Sequence, residues 1–271
     1  MQEITTQEFN RIREYIKANY GISLNDEKKS LIYSRLRTTL VDQGFDNFTD
    51  YFDHLLKDKS GAGITTFVNK VTTNHTFFMR ESDHFDYLRE HVMPYIADTY
   101  RSQKDLRLWC CACSSGEESV TLQMIVHDYF KKKGEQWNTQ MLATDISPQV
   151  LDKAVYARYP TETLANLPQS WQNDYFAKEG ANSAVKPAIR DNILYRKLNM
   201  MDAFPFKKRF QVIFCRNVMI YFDAAVRDAV VKKFYDVTEP GGYLFIGHSE
   251  SLNHTDTAYK YIKPAIYRKE I

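Results

Sequence analysis

The chain has 271 residues, and its 44% hydrophobic content allows a sizeable core, which excludes an intrinsically disordered protein. A formal charge of +2 argues against a dedicated nucleic-acid binder, and no apolar run approaches the roughly 20 residues that a membrane-spanning helix needs. The start, MQEITTQEFNR, has no basic stretch followed by an apolar one, so the expectation is a cytoplasmic protein without a signal peptide or membrane insertion.

The first 72 residues read as helices without strands. In TTQEFNRIREYIKANYG, Thr5 and Glu8 have capping-box spacing, Phe9, Ile12 and Ile16 share a face, and Gly21 is a stop. NDEKKSLIYSRLRTTLVDQG follows with Gly44 at its end, then NFTDYFDHLLKD and GITTFVNKVTT. Acids and bases balance across this segment, so a basic surface must be local. Lys28 and Arg35 share one helix face while Lys29 and Arg37 point elsewhere, which fits either a solvated helix or a binding face.

A linker is expected over 73–90, and beyond it the pattern changes to strand–helix alternation. LRLWCCA, TQMLATDIS, RFQVIFC, GGYLFIG and AIYRKEI read as strands. Helices follow at GEESVTLQMIVHDYFKK, at SPQVLDKAVYA with Ser147 as cap and Pro148 in the first turn, and at DAAVRDAVVKKFYDV. Such alternation argues for a mainly parallel sheet with helices on both faces. Residues 158–196 break the rhythm; polar and carrying Pro160, Pro168 and Pro187, they read as an inserted subdomain of short strands. The fold class is therefore α/β: a small helical domain (1–72), then a Rossmann-like domain (91–271) with a small β insertion.

Ligands of open α/β sheets bind beyond the carboxyl ends of the strands. Those ends carry Ser114-Ser115-Gly116-Glu117-Glu118, Asp145, Arg216-Asn217-Val218 and His248-Ser249-Glu250. A phosphate cradle calls for glycines and bases, whereas this loop has few glycines and two acids. The acids suit either the helix dipole alone or a cationic ligand, and Asp145 is placed to accept hydrogen bonds from ribose hydroxyls. A nucleoside carrying positive charge and no phosphate satisfies both observations, and S-adenosylmethionine is one. Of the cysteines, Cys110, Cys111 and Cys113 lack the distant second pair of a zinc site. Buried, reduced thiols are expected, and no metal.

The motifs TTNHTFFMRE, CSSGEES, ATDIS, FCRNVMIYFD and GGYLFIGHSESL, in this order behind a helical segment, resemble the chemotaxis-receptor glutamate methyltransferases, the CheR family. The resemblance spans essentially the whole chain. It implies transfer of a methyl group from S-adenosylmethionine to glutamate side chains on chemoreceptor helices, leaving S-adenosylhomocysteine. Carried over by motif, it implies cofactor contacts by Asn74, Thr76 and Arg80 at the joint, by Glu118 in preference to Glu117, by Asp145 at the ribose, by Asn199 and Met200 beside adenine, and by Asn217 and Val218. Arg80 and Tyr221 are the catalytic candidates, Arg80 orienting the substrate carboxylate and Tyr221 capping the transfer site. Lys28, Lys29, Arg35 and Arg37 are candidates for meeting acidic residues of the receptor helix. The insertion corresponds to the family's β-subdomain, which in some members docks a receptor's C-terminal peptide. His75, Ser119 and the CCAC run depart from common family residues without removing an expected polar contact. His248 reads as a satisfied loop histidine, because a carboxylate nucleophile needs no base. A monomer is the default expectation. The competing readings are a methyltransferase for another substrate on the same fold and a non-catalytic cofactor-binding scaffold.

Overall fold

The computed structural model describes residues 3–72, 75–253 and 257–271. Four helices open the chain: α1 (Thr6–Tyr20), α2 (Lys28–Asp42), α3 (Phe48–Lys57) and α4 (Ala62–Val71). The Thr5–Glu8 capping box forms, with the Glu8 carboxylate accepting from the Thr5 backbone at 2.8 Å. Its other oxygen accepts from the Thr49 backbone, so one side chain starts α1 and pins α3 against it. Phe9, Ile12, Ile16, Ile32, Leu36, Phe52 and Phe67 make the core of this unit. Gly21 does more than stop α1. Its backbone is left-handed, and a Cβ there would sit 2.6 Å from Met201 Sδ, so glycine lets this loop close onto the second half of the chain.

The second half of the segment expected as a linker is helical. Residues Ser82–Thr99 run as α5 (Ser82–Tyr87), one π turn (Leu88–Val92) and α6 (Met93–Thr99). Phe85, Leu88, Val92, Met93 and Ile96 are buried in the core of the α/β unit. The π turn shifts the apolar repeat, which hides the helix from a reading at period 3.6.

The α/β unit is a seven-stranded sheet. Its strands are β1 (Leu108–Cys111), β2 (Met141–Asp145), β6 (Ile193–Lys197), β7 (Phe210–Cys215), β8 (Thr238–Phe245), β9 (Lys260–Lys263) and β10 (Ile266–Arg268), in the order β6-β2-β1-β7-β8-β10-β9. The first five run parallel and the last two return as an antiparallel hairpin. α7 (Glu117–Lys133), α8 (Pro148–Tyr156) and α11 (Ala224–Val237) connect them, with Ser147 and Asp223 capping α8 and α11 through their side chains. The strand order reverses between β1 and β7, which opens a crevice at their carboxyl ends.

The inserted subdomain holds β3 (Arg158–Pro160), α9 (Gln169–Tyr175), β4 (Phe176–Glu179), β5 (Asn182–Val185) and α10 (Pro187–Arg190), its strands forming a separate antiparallel sheet β3-β5-β4. The expected span of 158–196 overruns it, because β6 pairs in parallel with β2 as the edge of the main sheet. Phe78, just before α5, packs edge-on against Tyr159 and Phe176 and ties the joint to the subdomain.

The loop after β1 keeps the left-handed turns of a glycine-rich loop without the glycines: Ala112 has φ 56° and Ser114 φ 50°. Only Gly116, at φ 100°, is irreplaceable, since a Cβ there would lie 2.7 Å from Tyr159 Oη and 3.0 Å from Ala154 Cβ. We expect Gly116→Ala to cost about 2–3 kcal/mol, from backbone strain and overpacking together. A shift in denaturant midpoint measures it, and an unchanged midpoint would mean that Tyr159 yields without cost.

Candidate functional site

A cleft, open to solvent on one side, lies over the β1–β7 crevice. Strand ends and the turns after them supply Cys111, Ala112, Cys113, Ser114, Asp145, Ile146, Arg216, Asn217 and Val218, and the start of α7 supplies Glu118; Leu198, Asn199 and Met200 follow β6. The helical unit closes the other side with Tyr20, Ile22, Val68, Asn69 and Thr72, and the joint adds His75, Thr76 and Arg80. Of the residues implied by the sequence, Thr76, Arg80, Glu118, Asp145, Asn199, Met200, Asn217, Val218 and Tyr221 line this one cleft. Asn74 lies outside the described residues.

The two halves are stitched at the cleft's edge. Ser23 donates its backbone N–H to the Tyr221 carbonyl at 2.7 Å, Ile22 and Phe222 form an antiparallel bridge, and Asn199 Nδ2 donates to the Asn19 carbonyl at 2.8 Å. Asn69 also donates to Ser147 Oγ at the start of α8. Tyr221 packs against the core of the helical unit.

Glu118, not Glu117, faces the cleft. Its carboxylate accepts from Arg216 Nη1 at 2.9 Å and from the Cys110 thiol at 3.3 Å, while Glu117 takes the Ser115 hydroxyl at 2.7 Å. Burial pushes the Glu118 carboxyl up, and Arg216 draws it partly back. Asp145, at the end of β2, accepts backbone N–H bonds from Ser114 at 2.9 Å and Ser147 at 3.0 Å, so it shapes both adjoining loops. Burial raises its carboxyl as well, against these bonds. Both acids are thus held short of the solvation they would have in water. A positively charged or hydroxyl-bearing ligand would restore it.

Beneath the cleft lies a network that sequence reasoning left without a role. Arg216, with its side chain 1% exposed, pairs with both Glu118 and Glu81, the latter at 3.0 Å, and also donates to the Arg80 carbonyl. Glu81 accepts in addition from Asn217 Nδ2 at 2.9 Å and from the His248 backbone at 3.2 Å. Burial alone would raise the Glu81 carboxyl; the bonds from Asn217 and Arg216 outweigh it and hold it below the usual carboxylate range. Glu250 accepts from the Asn217 and Ile220 backbones at 3.0 and 3.2 Å and so shapes the turn after β7. The hydrogen-bond donors to the Glu81 carboxylate are 135 or more positions away, so no local spacing signals them.

Strain gathers here too. Of the eight non-glycine residues with left-handed backbones among the described residues, Ala112, Ser114 and Asn217 line this cleft and Met79 and Glu81 flank its Arg80, which marks it as the place where folding energy is traded for geometry.

Histidines flank the network. His84 is fully buried, edge-on to His248, and held neutral by burial and by Arg216, its pKa lowered to about 4. His248 pairs through Nε2 with Asp83 at 3.0 Å, as a satisfied loop histidine does. Ligand atoms of Glu81, His84 and His248 lie within 4.8 Å of one another, and the Glu81 carboxylate there already accepts from three donors. The four cysteines are free and buried, and the pair Cys110 and Cys111 face opposite sides of β1.

The basic candidates on α2 divide. Arg35 donates to the carbonyls of Lys70, Val71 and Thr72 at 3.3, 3.2 and 2.9 Å. It caps the end of α4, so this guanidinium already has a structural role there. Lys29 donates to Thr6 Oγ1 at 3.1 Å, and Lys28 and Arg37 are exposed.

Comparison with known proteins agrees with this geometry. The profile of the CheR methyltransferase all-alpha domain matches residues 7–72, and that of the CheR methyltransferase SAM binding domain matches residues 74–267. A chemotaxis protein methyltransferase of Borreliella burgdorferi is 38% identical over 270 residues, covering 98% of this chain and 95% of that one. A probable chemotaxis protein methyltransferase of Rhizobium etli is 33% identical over 94% of this chain and 99% of its own. The chemotaxis protein methyltransferase of Escherichia coli is 31% identical over 96% of this chain and 89% of its own. No helix among the described residues is long and apolar enough to cross a membrane. With a family profile over each half and a cleft between them suited to a cationic nucleoside, the chain belongs to the CheR family of chemotaxis methyltransferases, enzymes that use S-adenosylmethionine.

Proposed function

We propose that the chain methylates glutamate side chains on the helical methylation regions of chemoreceptors. One observation carries the reading. Two cationic guanidiniums line the cleft, and Arg216 is consumed by Glu81 and Glu118, whereas Arg80 makes no ion pair among the described residues and donates only to the His75 carbonyl, at 2.7 Å. Arg80 is therefore the group left to hold an incoming carboxylate.

S-adenosylmethionine supplies an electrophilic methyl group when bound. In this reading Glu118 and Asn217 receive its amino-acid end, Asp145 its ribose, and Asn199 and Met200 its base, while Thr76 and Val218 close around it. A glutamate carboxylate is ionised near neutrality, so no residue must remove a proton. What the enzyme supplies is alignment of one carboxylate oxygen with the methyl group, by Arg80 gripping the other oxygen and Tyr221 covering the site. Positioning of this kind is worth about 7–11 kcal/mol of barrier when the geometry is good. Two opposite charges neutralise each other on the way, so the apolar wall of Val218, Leu198 and Phe222 favours the transfer once the substrate covers the cleft. Lys28, Lys29 and Arg37 remain candidates for meeting receptor acids. The antiparallel sheet β3-β5-β4 offers edge strands to which an extended receptor tail would add.

The test uses methyl-labelled S-adenosylmethionine and a receptor cytoplasmic fragment. We expect base-labile label, as a methyl ester gives, that disappears when the receptor's glutamates are replaced by alanine. Cofactor binding without any transfer would favour the scaffold reading instead.

A further inference from the structure

The Asn217 side chain shows which of its ends the cleft receives. Its Nδ2 donates to Glu81 Oε1 at 2.9 Å, and its carboxamide oxygen accepts no hydrogen bond among the described residues. A carboxylate can only accept, so Glu81 forces the NH₂ end of Asn217 downward and leaves the oxygen as the free end of a cleft-lining residue. The arrangement is tightly held. Asn217 itself has a left-handed backbone with φ 58°, its N–H is taken by Glu250, and a Cβ on Gly247 would fall 2.4 Å from Asn217 Nδ2. Glu81 is equally constrained, at φ 57°, with Arg216 and the His248 backbone on its second oxygen. Two carboxylates, Glu81 and Glu118, share the single guanidinium of Arg216, so the floor of the cleft keeps an excess of negative charge.

We infer that Glu81 is a positioning residue that selects the cofactor's ammonium end: it fixes the orientation of the Asn217 amide so that an acceptor, beside the carboxylate of Glu118, meets an N–H donor of the ligand. The inference rests on the cofactor placement proposed above. It assigns to Glu81 no contact with substrate or cofactor. Its effect passes through Asn217 and through the charge shared with Arg216.

Two ligands separate this role from a merely structural one. S-adenosylhomocysteine carries the amino-acid end, and 5′-methylthioadenosine has the same nucleoside without it. In Glu81→Gln the neighbour can donate as well as accept, so the Asn217 amide is free to turn over. Calorimetric titration of the full chain should then show S-adenosylhomocysteine weakened by about tenfold or more, the loss of one charge-assisted contact, with 5′-methylthioadenosine unchanged. Equal weakening of both ligands, or of neither, overturns the inference. If Glu81→Gln does not fold, Asn217→Ala takes its place with the same two ligands and the same expectations. Wild-type protein that fails to prefer S-adenosylhomocysteine over 5′-methylthioadenosine would instead overturn the placement of the amino-acid end on which the inference stands.

Discussion

Replacing Arg216 with methionine should destabilise the protein by about 3–5 kcal/mol at neutral pH, a large share of the total for a chain of this kind. The guanidinium is almost fully buried, sits over the Phe85 ring at 5.2 Å, and is the shared partner of Glu81 and Glu118. Methionine fills much of the space but leaves two desolvated carboxylates facing each other. The sign of the pH dependence follows. Arg216 helps to lower the Glu81 carboxyl and draws the Glu118 carboxyl down from its raised position. Without it both native-state values move up, and that of Glu118, already raised by burial, stands further above that of the unfolded chain. Stability linked to a raised carboxyl is present in full below the unfolded pKa and is lost as pH rises through the folded one. The deficit relative to wild type should therefore be small near about pH 5 and large near about pH 8, and Glu118→Gln in the same chain should recover part of it. Urea titrations at the two pH values decide this. A deficit equal at both would show that Arg216 contributes packing and not charge.

Asp145→Ala should weaken S-adenosylhomocysteine by about 10²–10⁴-fold, the loss of two hydrogen bonds to a charged acceptor. The carboxylate stands at the end of β2, beside the crevice where the strand order reverses, and it also holds the backbones of Ser114 and Ser147. Asp145→Asn keeps the shape with half the accepting capacity and should lie between. Calorimetry with S-adenosylmethionine and S-adenosylhomocysteine gives the answer. Wild-type affinity in Asp145→Ala would move the ribose away from β2.

Much of this architecture was legible because local and global signals agree. The Thr5–Glu8 box, Ser147 with Pro148, and Asp223 each start a helix where the spacing says they should. The strands β1 and β7, apolar but for Gln211, are buried along their whole length. What escaped is what breaks a period or lies at an edge. The π turn at Leu88–Val92 interrupts the helical repeat, and β6 is half exposed at the sheet's margin, so ILYRK reads as a polar stretch. The cleft residues were nameable from their motifs, and the fold brings them together. The roles of Glu81, Arg216 and Glu250 were not, because each acts through partners that only the tertiary structure supplies. Arg35 shows the converse: a base on an apparent binding face is spent on carbonyls at the end of a neighbouring helix.

The seam at Gly21 has a consequence for how this family can be recombined. Because Tyr20 and Ile22 wall the cleft, and because the close approach at Gly21 is matched to Met201 and Val226, the helical half is not an interchangeable adaptor clipped to a self-sufficient catalyst. A chimera that takes its helical half from a relative inherits one wall of the cofactor cleft from that relative as well. Exchanging the helical half means moving the loop around Gly21 together with the 199–201 and 221–226 segments that receive it.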